Sequence, residues 1–148
     1  YVHGEMGFNY RMEGIQGLVL GHKLKLLPRW NDERRALARA YGERLAGLPL
    51  VLPEIRHQDH VFHLYVALTP DRDRLRAFLA DHGIDTGLHY PVPLHRQPCF
   101  AHLRLDDAAF PVSNRFGEQC ISLPIFNGMR DDQLDYVCDK VHAFYRQG

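Results

Sequence analysis

The segment from Gly83 to His95 reads Gly-Ile-Asp-Thr-Gly-Leu-His-Tyr-Pro-Val-Pro-Leu-His. Pro91 and Pro93 remove two backbone donors and exclude a helix, so the backbone is expected to run extended or in polyproline form. Gly83 and Gly87 stand where a chain turns or comes close to another group. The segment therefore predicts the end of a helix, a short strand and then a stiff loop.

Three polar rings belong to this segment. His89, Tyr90 and His95 can donate or accept hydrogen bonds, and the histidines can also titrate near neutral pH. A stiff backbone lowers the entropy cost of holding such side chains toward a ligand. The alternative is a proline-rich surface loop with two solvated histidines, and composition does not separate the two interpretations.

The composition is that of one ordinary domain. The 148 residues are 45% hydrophobic and 24% charged, with a formal net charge of zero. A neutral chain gives no reason to expect nucleic acid or a membrane surface as a partner. No apolar run is long enough to predict a membrane-spanning helix.

Three cysteines are present at wide spacings, at positions 99, 120 and 138. Their odd number predicts no disulfide framework and favours a reducing, cytoplasmic setting. The chain begins with Tyr1 rather than Met, which suggests a piece of a longer protein, although processing would have the same effect.

Hydrophobic periodicity predicts four helices, at 12–27, 30–48, 70–82 and 131–145, with Pro28 ending the first. Ser113 is expected to cap a further short helix that runs to residue 120. Strand patterns cover 59–69, 85–89 and 121–125. The predicted fold is α+β, with a small mixed sheet of about three strands packed by helices.

Charged and small residues of the first two helices have a simple interpretation. The arginines of the second helix are expected to form its solvated face: Arg34, Arg35, Arg39 and Arg44. Glycines spaced by three or four in the first helix favour close packing against a second element or subunit.

No metal site is expected. His57, His60 and His63 fit no standard zinc spacing. On a strand, His60 and His63 would also point to opposite faces.

Four motifs, in order and spacing, carry a resemblance to the C-terminal half of the vitamin B6-dependent DegT/DnrJ/StrS-type sugar aminotransferases. They are Gly7-Phe8-Asn9-Tyr10-Arg11-Met12 with Ile15-Gln16 and Leu18; Arg34-Arg35 with Ala38 and Tyr41; Gly83-Ile84 with His89-Tyr90-Pro91 and Pro93-Leu94-His95; and Ser122-Leu123-Pro124-Ile125.

The resemblance implies a fold type I homodimer with a shared active site that holds pyridoxal 5'-phosphate. Residues 1–28 would form a cofactor- and dimer-contact loop with a long interdomain helix, and residues 29–148 the small C-terminal domain. The Schiff-base lysine of the family would lie upstream of this chain, because Lys23, Lys25 and Lys140 sit in no matching motif.

Site residues follow from the same resemblance. Asn9 would reach the cofactor phosphate of the partner subunit, and Arg11 would bind phosphate or carboxylate in the substrate. His89, Tyr90 and His95 would bind the nucleotide sugar. The alternatives are that Asn9 is only an N-cap, that Arg11 only pairs with a carboxylate at the dimer seam, and that His95 only caps the following helix.

The implied activity is transfer of an amino group, from glutamate as the expected donor, to a nucleotide-linked keto-sugar. This chain alone would be inert. Two alternatives stay open: a lysine-less sugar dehydratase of the same family that uses pyridoxamine phosphate, and a stand-alone, non-catalytic sugar-binding module.

Overall fold

The computed structural model describes residues 10–57 and 59–147. The helices of this part are α1 (Gly14–Leu24), α2 (Leu27–Arg44), α3 (Arg72–Asp81), α4 (Pro111–Gln119) and α5 (Asp131–Arg146). The strands are β1 (Tyr65–Leu68) and β2 (Cys120–Leu123). Short 3₁₀ turns cover Leu94–Arg96, Pro98–Leu103 and Asp107–Ala109.

The sheet consists of β1 and β2, which pair antiparallel with Val66 opposite Ser122. A one-residue bridge extends it on each side, from Val51 to Leu68 and from Gly87 to Ser122. Both bridges are antiparallel. The α+β class is as predicted, but within the described residues the predicted mixed sheet of three strands is an antiparallel pair.

Local backbone chemistry explains why the predicted strands are shorter. The strand predicted at 85–89 contributes only the Gly87 bridge, since Pro91 follows soon after and cannot donate to a ladder. The strand predicted at 59–69 starts only at Tyr65. Phe62 has a φ of 46°, which takes the chain out of extended geometry just before β1.

The core lies between the sheet and helices α2, α3 and α5. Tyr41 of α2 and Tyr65 of β1 are both almost fully buried, and their rings stack with centroids 4.8 Å apart. The Tyr41 hydroxyl donates to the Pro124 carbonyl oxygen at 2.7 Å. Burial raises the pKa of Tyr41, so this phenol stays protonated as a donor. Other core residues include Leu37, Leu75, Leu79, Ile121, Leu134 and Val141.

Helix α1 forms where its pattern predicts, but none of its residues is buried. Ile15, Leu18 and Leu24 are among its exposed apolar side chains. The helix ends at Leu24, and the prediction that Pro28 ends it is wrong. Pro28 lies in the first turn of α2, where its missing N–H has no helical partner to lose.

Arg34 corrects the expectation of a solvated arginine face on α2. Its Nη1 donates to the carbonyl oxygens of Phe62, His63 and Ile125 at 3.1, 3.2 and 3.1 Å. Its Nε donates to Asn127 Oδ1 at 3.2 Å. One guanidinium thus joins the segment before β1 to the segment after β2.

Two other predictions concern helix ends, and one of them is confirmed. Gly83 follows α3 with a φ of 72°, the left-handed conformation that a C-terminal glycine supplies. Ser113 does not cap α4, which begins at Pro111, because proline is preorganised for the first helical position.

All three cysteines are free thiols, exposed at Cys99 and buried at Cys120 and Cys138. In the described part of the chain, no helix combines the length and apolar character needed to cross a bilayer.

Candidate functional site

The loop Pro91–His95 lies against α4, and Gly117 makes this approach possible. A Cβ at Gly117 would be 3.0 Å from the Pro91 carbonyl oxygen and 3.0 Å from Pro93 Cδ. Both neighbours are stiff, so any larger residue would push the loop away from the helix. The prolines and Gly117 together determine how closely the loop packs against α4.

A groove of about 950 Å³ lies between this loop and α4. It is mainly apolar, with His89, Tyr90, His95, Gln97 and Ser113 as its polar residues. The apolar lining comes from Pro91, Val92, Pro93, Leu94, Leu105, Phe110, Val112 and Phe116. This size and mixture suit a small organic ligand whose orientation is set by a few polar groups.

His89 is half-buried and held by the sheet. Its Nδ1 lies 2.8 Å from Ser122 Oγ on β2. Its ring packs over Gly87, where even a Cβ would come within van der Waals overlap of His89 Cε1. Tyr90 beside it is 71% exposed, and the two rings meet edge to face at 5.3 Å. Tyr90 can therefore bring a hydroxyl donor to the mouth of the groove.

His95 is bonded inside the chain. Its Nε2 lies 3.0 Å from Asp107 Oδ1 and 2.9 Å from Asn114 Oδ1, and its ring stacks on Phe110 at 4.4 Å. Asn114 Nδ2 donates to the Asp107 carbonyl oxygen at 2.9 Å, which leaves Asn114 Oδ1 as an acceptor. Nε2 of His95 therefore carries the hydrogen and donates to both oxygens.

Asp107 is the centre of this network. Its two carboxylate oxygens accept from Arg96 Nε and Nη2 at 2.6 and 2.8 Å, a bidentate pair. Arg96 and then His95 lower the pKa of Asp107 to about 2. The carboxylate thus fastens the 3₁₀ turn after Pro93 to the start of α4.

Replacing Asp107 with Asn is expected to lower stability at neutral pH, because the bidentate partner of Arg96 is lost. A lowered folded-state pKa stabilises the fold above the ordinary aspartate pKa of about 3.9, and this contribution disappears as the pH falls toward 2. Melting temperatures of wild type and variant should therefore differ fully above about pH 4 and converge below it.

Asp81→Asn is the matched control, since Asp81 is an exposed α3 carboxylate with no ion pair among the described residues. It should melt close to wild type at pH 7. A wild-type advantage over Asp107→Asn that persists unchanged down to pH 2 would contradict the role given to Asp107.

The other predicted site residues lie elsewhere. Asn9 is outside the described residues. Arg11 is exposed just before α1 and is not part of the groove lining. Lys23 is in α1, Lys25 directly follows it and Lys140 is in α5. None of these lysines is among the residues that line the groove.

Sequence reasoning missed Arg96, Asp107 and Asn114, and gave Ser122 no role of its own. Ser122 stood in a family motif, which was the one available signal. The other three are ordinary polar residues of a loop and a short helix. Within residues 10–57 and 59–147, no group of three histidine, cysteine or acidic side chains is arranged to hold a metal ion.

Comparison with known proteins gives a consistent result. The model of the DegT/DnrJ/EryC1/StrS aminotransferase family matches residues 1–142. The chain is 38% identical over 150 residues to the pleiotropic regulatory protein of Geobacillus stearothermophilus, covering 99% of this chain and 40% of that protein. It is 40% identical over 146 residues to dTDP-3-amino-3,4,6-trideoxy-alpha-D-glucose transaminase of Streptomyces venezuelae, and the match covers 97% of this chain and 38% of that protein.

The fold agrees with these relatives. The X-ray structure of S. venezuelae DesV in complex with a ketimine intermediate matches with a TM-score of 0.90 at 39% identity, covering 98% of this chain and 40% of that one. Solved structures of this fold include pyridoxal phosphate and pyridoxamine phosphate forms. The chain spans about 40% of the length of the relatives it matches. With a family match over nearly its whole length, the chain belongs to the DegT/DnrJ/EryC1/StrS aminotransferase family.

Proposed function

We propose that this chain is the substrate-side part of a pyridoxal phosphate-dependent aminotransferase that acts on a nucleotide-linked keto-sugar, with glutamate as amino donor. The observation that carries the proposal is the groove of His89, Tyr90 and His95, in a chain of this family. Three of the relatives are named as transaminases or aminotransferases of dTDP- or UDP-linked sugars.

The groove fits such a substrate chemically. Hydroxyl and diphosphate oxygens accept hydrogen bonds, and His89 and Tyr90 can donate them. The apolar wall of Leu94, Leu105 and Phe116 suits the apolar face of a sugar or a base. His95, fixed by Asp107, keeps this wall in place. Arg11 would bind a phosphate or carboxylate of the substrate.

The assembly proposed is a homodimer with shared active sites, in a cytoplasmic setting. The apolar side chains of α1 are exposed in this chain and need a covering surface. Residues 1–28 would form the dimer and cofactor contact and residues 29–148 the small domain. Asn9 would donate its amide N–H to the cofactor phosphate of the partner subunit, since a phosphate accepts such bonds.

Pyridoxal phosphate, when bound, would supply the electron sink for amino-group transfer. The residues of this chain would bind and orient the sugar and the cofactor phosphate. Because the covalent anchor of the cofactor lies elsewhere, we expect the 148-residue chain with added cofactor to show no transamination. Turnover by the purified chain would contradict this division of roles.

The test uses the protein extended upstream of Tyr1. Its visible absorbance is recorded with pyridoxal phosphate before and after borohydride reduction. A yellow protein whose cofactor becomes covalently fixed supports the aminotransferase. Bound cofactor that is never fixed favours the lysine-less dehydratase, and absence of bound cofactor favours a non-catalytic sugar-binding module.

Asn9→Ala in the full-length protein is expected to weaken retention of pyridoxal phosphate more than binding of the nucleotide sugar. The amide removed would otherwise donate to the cofactor phosphate. Cofactor loss on dialysis and the KM for the sugar measure the two effects separately. A larger change in KM than in cofactor retention would overturn the role given to Asn9.

A further inference from the structure

Among the described residues, the hydroxyl of Ser122 makes one hydrogen bond, and its partner is His89. The serine is 6% exposed, and its Oγ lies 2.8 Å from His89 Nδ1. Its backbone is already used, since Ser122 N donates to the Gly87 carbonyl oxygen at 2.8 Å and Ser122 O accepts from Gly87 N at 3.1 Å. The hydroxyl is therefore the one group of Ser122 that is available to His89.

Hydrogen-bond accounting favours one direction for this contact. A buried hydroxyl that donates to nothing costs free energy, and Nδ1 is the acceptor in reach. A neutral imidazole carries one hydrogen, on one ring nitrogen. If Nδ1 accepts from Ser122, the hydrogen of His89 has to be on Nε2.

Gly87 leaves room for the ring at this position, because any side chain there would overlap it. The Nδ1, Cε1 and Nε2 atoms of His89 all lie within 3.5 Å of the place where a Gly87 Cβ would be. The ring therefore packs directly on the bare backbone of the bridge to β2. In the described part of the chain, Nε2 has no hydrogen-bond partner. Its hydrogen is available to a ligand in the groove that His89 lines.

We propose that Ser122 is a positioning residue that holds His89 as the Nε2–H tautomer, so that this ring presents a donor to an oxygen of the ligand. The nature of that ligand, a nucleoside diphosphate or its sugar, rests on the proposed function. The coupling of Ser122 to the His89 tautomer rests on the contacts alone. Ser122 acts through His89 and does not itself touch the ligand.

The test is a long-range proton–nitrogen correlation spectrum of the full-length protein with ¹⁵N-labelled histidine. It is recorded at about pH 8.5, well above the ordinary histidine pKa of about 6.5, and His89→Gln identifies the signals of His89. Wild type should show the Nε2–H pattern. Ser122→Ala should show a mixture of both tautomers, whereas Ser113→Ala, a serine of the same groove on α4, should match wild type.

A second measurement determines the affinity for dTDP by calorimetric titration. Ser122→Ala is expected to bind dTDP about fivefold more weakly, the size of one lost hydrogen bond. Thr86→Ala, which removes a hydroxyl from outside the groove lining, is expected to bind dTDP with wild-type affinity. An Nδ1–H pattern in wild type, or an unchanged tautomer in Ser122→Ala, overturns the proposal, and the first of these results needs no folded variant. A tautomer that follows Ser122 in a protein that does not bind dTDP supports the positioning role and contradicts the proposed function.

Discussion

Arg34→Met is expected to destabilise the fold by about 2–3 kcal/mol, the scale for losing hydrogen bonds from a charged, partly buried group. Three carbonyl oxygens accept from its Nη1 and Asn127 accepts from its Nε. Nη1 has only two hydrogens, so at least one is shared and the bonds do not add fully. Methionine keeps much of the apolar stem while leaving these oxygens without their donor.

Urea denaturation of wild-type and variant chains measures this loss as a lower transition midpoint. Arg39→Met is the matched control, because Arg39 lies on the same helix and is exposed. Its effect should stay within about 0.5 kcal/mol. Equal losses of stability in the two variants would show that the hydrogen bonds of Arg34 add no stability beyond that of an exposed arginine.

Gly87→Ala is expected to weaken ligand binding by about tenfold, equivalent to about 1.4 kcal/mol. The new methyl group would overlap His89 Cε1, so the ring has to leave its place and its contact with Ser122 Oγ. The φ angle of Gly87 is not in the left-handed region, so the backbone itself accepts alanine. The fold should therefore survive while the groove changes shape.

Calorimetric titration of the full-length protein with dTDP gives the affinity, and circular dichroism checks the fold. Gly42→Ala is the control, since a Cβ there meets nothing within 4 Å and alanine favours a helix. It should bind normally and be slightly more stable. Wild-type affinity in Gly87→Ala would mean that the position of His89 does not matter for this ligand.

Local patterns predicted the parts of the fold that local forces decide. Helix α3 and its glycine stop, and helix α5, follow from apolar spacing and from the conformational freedom of Gly83. The strand predictions were less accurate, because strand pairing depends on partners that are distant in the sequence. A left-handed Phe62 just before β1 has no signature in an alternating apolar pattern.

The site shows the same division. His89, Tyr90 and His95 are neighbours in the sequence and line one groove, as a stiff loop would arrange them. Their roles in binding stay predictions. The anchors of this loop were not predictable, because Asp107 and Ser122 are 12 and 33 positions from the histidines they contact. Arg34 was misread for the same reason, since the Asn127 that accepts from it is 93 positions away.

The two edges of the sheet limit how a strand from another chain can pair with it. Each outer segment, at Val51 and at Gly87, contributes a single bridged residue, and prolines stand close by at 49, 53, 91 and 93. A proline has no N–H to offer, so neither border can guide an incoming strand over more than a residue or two. This protects the domain from edge-to-edge aggregation. Partners and ligands are accordingly expected to recognise its side chains, and not to continue its backbone ladder.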